Sequence, residues 1–276
     1  MKFDAHVHIS IYEKNVASLE KSFSLLLQDM EQNGVSAAIV IPDNIEGSDT
    51  IADLDRAIGL IGERKNIFLL GSPQIVQRGS GEIERYRILL ETGTIRGLKF
   101  FPGHDPYYPT DERCLPYYDL CERLDVPVLF HTGGNSGDEG VARWNDPKYI
   151  VEIAKRYPRL KVIITHFFWP RMEYCYEMTK DVPNIWFEIA AMADSEVIEE
   201  SGGITAVRDV LRKTIFDRPD KVLFGSDCPM CGIRDHIGLI ASLGLPKDIE
   251  EAVYFRNAMT VYRIPEEGIG TNTVIL

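Results

Sequence analysis

Positive charge is in short supply: 30 lysines and arginines stand against 42 aspartates and glutamates in 276 residues, a formal charge of −12. Phosphate backbones and anionic headgroups prefer a basic face, so nucleic acid and membrane are excluded as main partners and a small molecule is expected. No apolar run approaches the roughly 20 residues that span a bilayer. The longest candidates are stretches such as VSAAIVI at 35–41. Nor does an apolar leader follow Met1, which runs straight into KFDAHVH, and that sets the expectation of a cytoplasmic address. Cysteine is scarce, and its odd count of five points to reduced thiols rather than a disulfide framework. Low-complexity tracts are missing, and with 45% hydrophobic residues the chain can bury a full-sized core. We expect one domain over 1–276, with 264–276 as a C-terminal tail; a homo-oligomer is compatible with this composition.

Histidine is also rare, six in all, yet two of them, His6 and His8, open the chain in FDAHVH. Alternate residues of a strand point to one face, with Cα atoms roughly 6 to 7 Å apart, so these imidazoles would stand side by side. That spacing suits a metal. It equally suits a surface strand with two polar residues, and only partners elsewhere decide between the two.

The rest of the chain alternates short apolar runs with longer amphipathic ones. Eight runs are strand-like: 3–8, 35–41, 67–72, 95–101, 126–131, 161–166, 184–190 and 221–227, with starts 23 to 37 residues apart. Between them lie helical stripes. Leu19, Phe23, Leu26 and Met30 line one face before Gly34 stops the helix, and Asp146 with Pro147 caps another that buries Ile150, Val151, Ala154 and Tyr157. Pro158, Pro183 and Pro219 each precede a new strand. Eight β–α units of this size predict an α/β fold, a (β/α)8 TIM barrel, with a doubly wound open sheet as runner-up. The barrel is favoured because four runs end in metal-binding residues, His8, His131, His166 and Asp227. In a barrel the strand C-termini converge on one point; in an open sheet they spread along an edge.

A histidine that ends an apolar strand can be an ordinary hydrogen-bonded core residue. Five such residues on strands one, five, six and eight are harder to explain that way. With FDAHVH, GLKFF, VLFHTG, VIITH, FGSDCP and FRNAMTVY, the chain resembles the amidohydrolase superfamily over residues 3 to about 262. The closer likeness is to the amidohydrolase-related branch that includes aminocarboxymuconate-semialdehyde decarboxylase, resorcylate-type decarboxylases and pyrone dicarboxylate lactonase. The resemblance implies that His6, His8, His131 and Asp227 hold one divalent metal, with His166 a catalytic neighbour. Three imidazoles and a carboxylate suit zinc, and manganese, iron or cobalt would also fit. Asp227 would then take a proton from metal-activated water, and His166 would orient that water or polarise the substrate oxygen.

Several other residues invite a role. Asp4 shares the face of His6 and His8, as an acceptor for them or as a structural carboxylate. Lys99 occupies a position where related enzymes can carry a carboxylated lysine bridging two metals; a salt-bridged or substrate-reaching lysine is the alternative. His104, Tyr107 and Tyr108 after the fourth strand, and Arg143, Trp144, Trp169 and Arg171 after the fifth and sixth, fall at the expected mouth and are candidates to grip substrate. Cys228 and Cys231 form CPMC without a second pair, a weak redox or metal signal, and Cys228 stands where relatives often carry an aromatic residue. His236 reads as a surface or helix-packing residue.

The expected activity is metal-dependent hydrolysis of an ester, lactone or amide. Nonoxidative decarboxylation of a small unsaturated or aromatic acid is the alternative, and a noncatalytic metal-binding barrel a third. The compact chain leans toward hydrolysis, since decarboxylase relatives are commonly longer.

Overall fold

All eight apolar runs become parallel strands: β1 Phe3–Val7, β2 Ala37–Val40, β3 Ile67–Leu69, β4 Leu98–Phe100, β5 Val128–Phe130, β6 Val162–Thr165, β7 Ile185–Glu188 and β8 Val222–Leu223. This computed structural model describes residues 1–12, 16–77, 79, 81–134, 140–265 and 269. Of the tail expected over 264–276, only residues 264, 265 and 269 are among them.

The ladder divides into β1-β2-β3 and β4-β5-β6-β7-β8. Backbone hydrogen bonds close both seams. Between β3 and β4, Arg96 N–H donates to Leu69 (2.8 Å) and Lys99 N–H to Gly71 (2.7 Å); between β8 and β1, Ala5 N–H donates to Phe224 and Asp227 N–H to His6, each at 2.9 Å. The sheet is therefore a (β/α)8 barrel, with every strand flanked on both sides.

Helices follow the predicted stripes. Leu19–Asn33 buries Leu19, Phe23, Leu26 and Met30; Ser18 caps its start, and Gly34, at φ 66°, ends it in the left-handed conformation. Pro147–Arg156 starts at Asp146, whose carboxylate accepts the Lys148 N–H. Inside the barrel, Leu129, Ile163 and Leu223 form a layer two residues before His131, Thr165 and Gly225 on their strands, so by alternation they lie beneath the site. The helical stretch after the eighth unit, Ala252–Val261, seals the layer from below with Phe255, Ala258 and Met259. No helix among the described residues is long and apolar enough to cross a membrane.

Candidate metal centre

Three side chains at the C-terminal ends of β1 and β8 meet. Potential donor atoms of His6, His8 and Asp227 all lie within 4.8 Å of one another. Nε2 of His6 is 3.2 Å from Nε2 of His8, and the two stand 3.4 and 3.2 Å from Asp227 Oδ1. Their other ring nitrogens are committed. His8 Nδ1 lies 2.9 Å from the carbonyl of Ile41, an acceptor only, so it carries the proton and Nε2 keeps the lone pair. His6 Nδ1 meets the Glu188 carboxylate, which is wholly buried at the end of β7. This is the arrangement in which a carboxylate or carbonyl behind an imidazole fixes its tautomer and raises its basicity toward a metal.

His166 is built the same way. Its Nδ1 donates to Ala190 O at 3.1 Å, and its ring centroid is 5.1 Å from that of His6 and 5.0 Å from that of His131. His131 lies outside the 4.8 Å trio, but its Nε2 is buried and finds no partner among the described residues. A buried nitrogen without a partner carries an uncompensated desolvation cost, and a cation beside it would remove that cost. The donor set fits a divalent ion.

Electrostatics agree with that fit. Burial holds the imidazoles of His6 and His131 well below the ordinary histidine range and brings His166 to about 3, so all three are neutral at pH 7. Burial alone would raise the Asp227 carboxyl, yet beside His6, His8 and His166 it is held well below the carboxylate range and stays an anion. Neutral imidazoles around one anion are what a divalent cation requires.

The remaining candidates are spread more widely. Lys99 is fully buried and donates to Thr165 Oγ1 at 3.1 Å; burial lowers its pKa to about 8, against the opposing pull of Glu188 and Asp227. His104 meets His131 edge-on at 4.4 Å between centroids. The Tyr107 hydroxyl is buried and spent on the Phe101 N–H (2.8 Å), and Trp169 is buried against Gly133 and Gly134. Arg143 and Arg171 are exposed and lie over Trp144 and Tyr174. Asp4 takes the structural option, accepting the N–H groups of His6 (3.2 Å) and Ser226 (2.9 Å) rather than touching the rings. No disulfide joins the cysteines, and none of them joins the donor trio among the described residues. His236 is wholly buried and packs its helix, with Nδ1 on Gly232 O.

Glu188 escaped the reading of the sequence. Its signal was present: a lone glutamate inside the apolar run NIWFEIA must be buried, and a buried carboxylate needs a partner. Burial raises its pKa to about 7. Gly225 belongs with it, since a Cβ there would stand 1.9 Å from Glu188 Oε1 and 3.0 Å from the His6 Cβ.

A family model described as amidohydrolase matches residues 4–264. Three solved structures share the fold. A zinc-bound amidohydrolase from Burkholderia multivorans has a TM-score of 0.70 at 14% identity, over 96% of this chain and 100% of its own. A probable 2-pyrone-4,6-dicarboxylic acid hydrolase from Acinetobacter baumannii, with citric acid bound, scores 0.68 at 13% identity, over 95% and 99%. A 2,6-dihydroxybenzoate decarboxylase from Rhizobium scores 0.67 at 14% identity, over 95% and 98%. No curated protein matches the sequence.

Proposed function

This chain belongs to the amidohydrolase family and is an enzyme of that superfamily, and from that premise we propose that it is a metal-dependent hydrolase acting on an ester, lactone or amide carbonyl of a small molecule. One divalent ion is assigned to His6, His8, His131 and Asp227, zinc first, with manganese, iron or cobalt as substitutes. The observation that carries the reading is the convergence of the His6, His8 and Asp227 donors while both Nδ1 atoms are engaged elsewhere. The zinc in the similar Burkholderia protein supports the choice of metal.

Bound there, such an ion supplies an acidified water, its pKa brought from about 15.7 toward about 7. Asp227 is the member of the trio with the more open side chain, 15% exposed, and we assign it the proton: it accepts one as the nucleophile forms and returns it to the leaving group. His166, with its Nδ1–H already given to Ala190, offers a lone pair at Nε2. It therefore orients the attacking water as an acceptor. Lys99, His104, Arg143 and Arg171 complete the proposal as substrate contacts, with Arg143 and Arg171 the exposed cations at the mouth, while Tyr107 and Trp169 shape the loops around them.

Decarboxylation uses the same donors, and the likeness to the dihydroxybenzoate decarboxylase supports it as the second reading. A lone pair at His166 Nε2 favours hydrolysis, because protonation of a carbon needs a donor there. Purified holoprotein assayed against lactones, esters, amides and aromatic acids in ¹⁸O-water tests the choice. One oxygen-18 entering the product supports hydrolysis. Carbon dioxide release with no oxygen-18 in the organic product transfers the assignment to decarboxylation, and full turnover after metal stripping overturns both.

A further inference from the structure

Behind the histidines lies a buried amide that the mechanism does not use. Asn145 is wholly inaccessible to solvent, yet it sits in a connecting segment between the turn Val141–Arg143 and the helix Pro147–Arg156. Among the described residues its side chain makes three hydrogen bonds, all to backbone. Oδ1 accepts the Gly133 N–H at 3.0 Å, and Nδ2 donates to the carbonyls of Gly133 and Pro102, each at 3.2 Å. One amide thus holds the loop after β5 by both polar groups of a single residue and ties it to the loop after β4.

The clamp extends to the next loop. At Gly133, φ is 90°, and a Cβ would lie 2.7 Å from the Trp169 oxygen and 2.8 Å from its nitrogen; Gly134 N–H donates to Trp169 O at 3.0 Å. Thr132 adds a second tie, donating to Thr165 O at 2.5 Å and accepting the Phe168 N–H at 2.9 Å. His131 stands two residues before Gly133, His104 two residues after Pro102, and His166 three before Trp169. Three of the six histidines therefore hang from one braced set of loops.

We infer that Asn145 is a positioning residue of the metal centre, one that holds His131 at the angle from which its unpartnered Nε2 reaches the ion. This inference rests on the reading of His131 as a ligand. Beyond the single bridge between Pro102 and Asp105, the described residues of the loops it joins have no strand pairing to fix them, and an imidazole turned aside by a fraction of an ångström loses its bond to a metal.

The test is a double-mutant cycle read with cobalt(II) alone, by affinity and by visible ligand-field absorption. His131→Ala should weaken cobalt affinity and change the absorption. Asn145→Ala should weaken affinity by about 10-fold, the low end for a residue supporting a ligand, and move the absorption in the same direction. In the His131→Ala background, Asn145→Ala should add no further loss, because the residue it positions is gone. Equal losses in both backgrounds, or wild-type affinity and absorption in Asn145→Ala, overturn the inference. If His131→Ala leaves affinity and absorption unchanged, the ligand reading itself fails and the clamp falls with it. Asn145→Asp is the second variant should the alanine not fold. It keeps an acceptor for Gly133 N–H but sets an oxygen against two carbonyls, and the same cycle applies.

Discussion

A neutral imidazole has one lone pair, and at His8 and His166 a backbone carbonyl decides which nitrogen keeps it. The two residues differ in their place around the site: Nε2 of His8 stands 3.2 Å from Asp227 Oδ1, whereas His166 is not one of the converging donor trio. His166→Asn should therefore retain the metal through dialysis while turnover falls about 10²- to 10⁴-fold. Asp227→Asn should lose metal and turnover together, since the anionic donor and the proton carrier are one group. Metal analysis separates the two before any substrate is known, and loss of metal from His166→Asn at the rate of His6→Ala would make His166 a ligand. Glu188 gives a second expectation. Glu188→Ala leaves His6 Nδ1 without its buried partner and should weaken metal affinity about 10- to 100-fold by chelator competition, with Glu188→Gln falling between it and the wild type. At this scale the sequence was readable where spacing carries the message, as in the HxH pair. It was not readable at Glu188, whose partner lies 182 positions away.

Elements were legible where one residue type has one use. The stripe Leu19, Phe23, Leu26, Met30 and the stop at Gly34 predicted a helix that the structure repeats, because a left-handed residue after the last turn is nearly a glycine privilege. Gly34→Ala should cost about 1 kcal/mol in the left-handed conformation and lower the melting temperature by roughly 2 to 4 °C, with metal content unchanged, by calorimetry and metal analysis. The turn after β6 had no such marker. His166, Phe167 and Phe168 take φ of 62°, 49° and 55° in succession, a left-handed turn of three residues that have a Cβ. Each carries backbone strain, and tertiary packing holds them: Phe167 stacks on Phe187 at 4.9 Å, and Phe168 N–H is caught by Thr132. Local propensity argues against this conformation, so no local reading of VIITHFFWP finds it. The strain is concentrated where His166 leaves its strand.

Across the whole molecule, the seam that closes the barrel and the proposed metal centre are the same place. His6 and His8 belong to β1, Asp227 follows β8, and the bonds Ala5 to Phe224 and Asp227 to His6 run alongside. An ion there would staple the first strand to the last. Chelation should lower the melting temperature of the wild type, by an amount that corresponds to about 2.7 kcal/mol when the free ion stands at 100 times its Kd, and should leave His6→Ala unmoved. Equal melting with and without chelator would show that the seam needs no ion. The barrel itself was legible from eight repeats of one pattern, but which strands share a seam depends on closure, a property that no single unit carries. That arrangement also orders events in time. During synthesis His6 and His8 emerge more than two hundred residues ahead of Asp227. A chain that stops short of the last strand lacks Asp227, the one anionic donor of the proposed set, whichever histidines have already emerged, so the full chelate forms only when that strand arrives and metal would be committed to finished barrels.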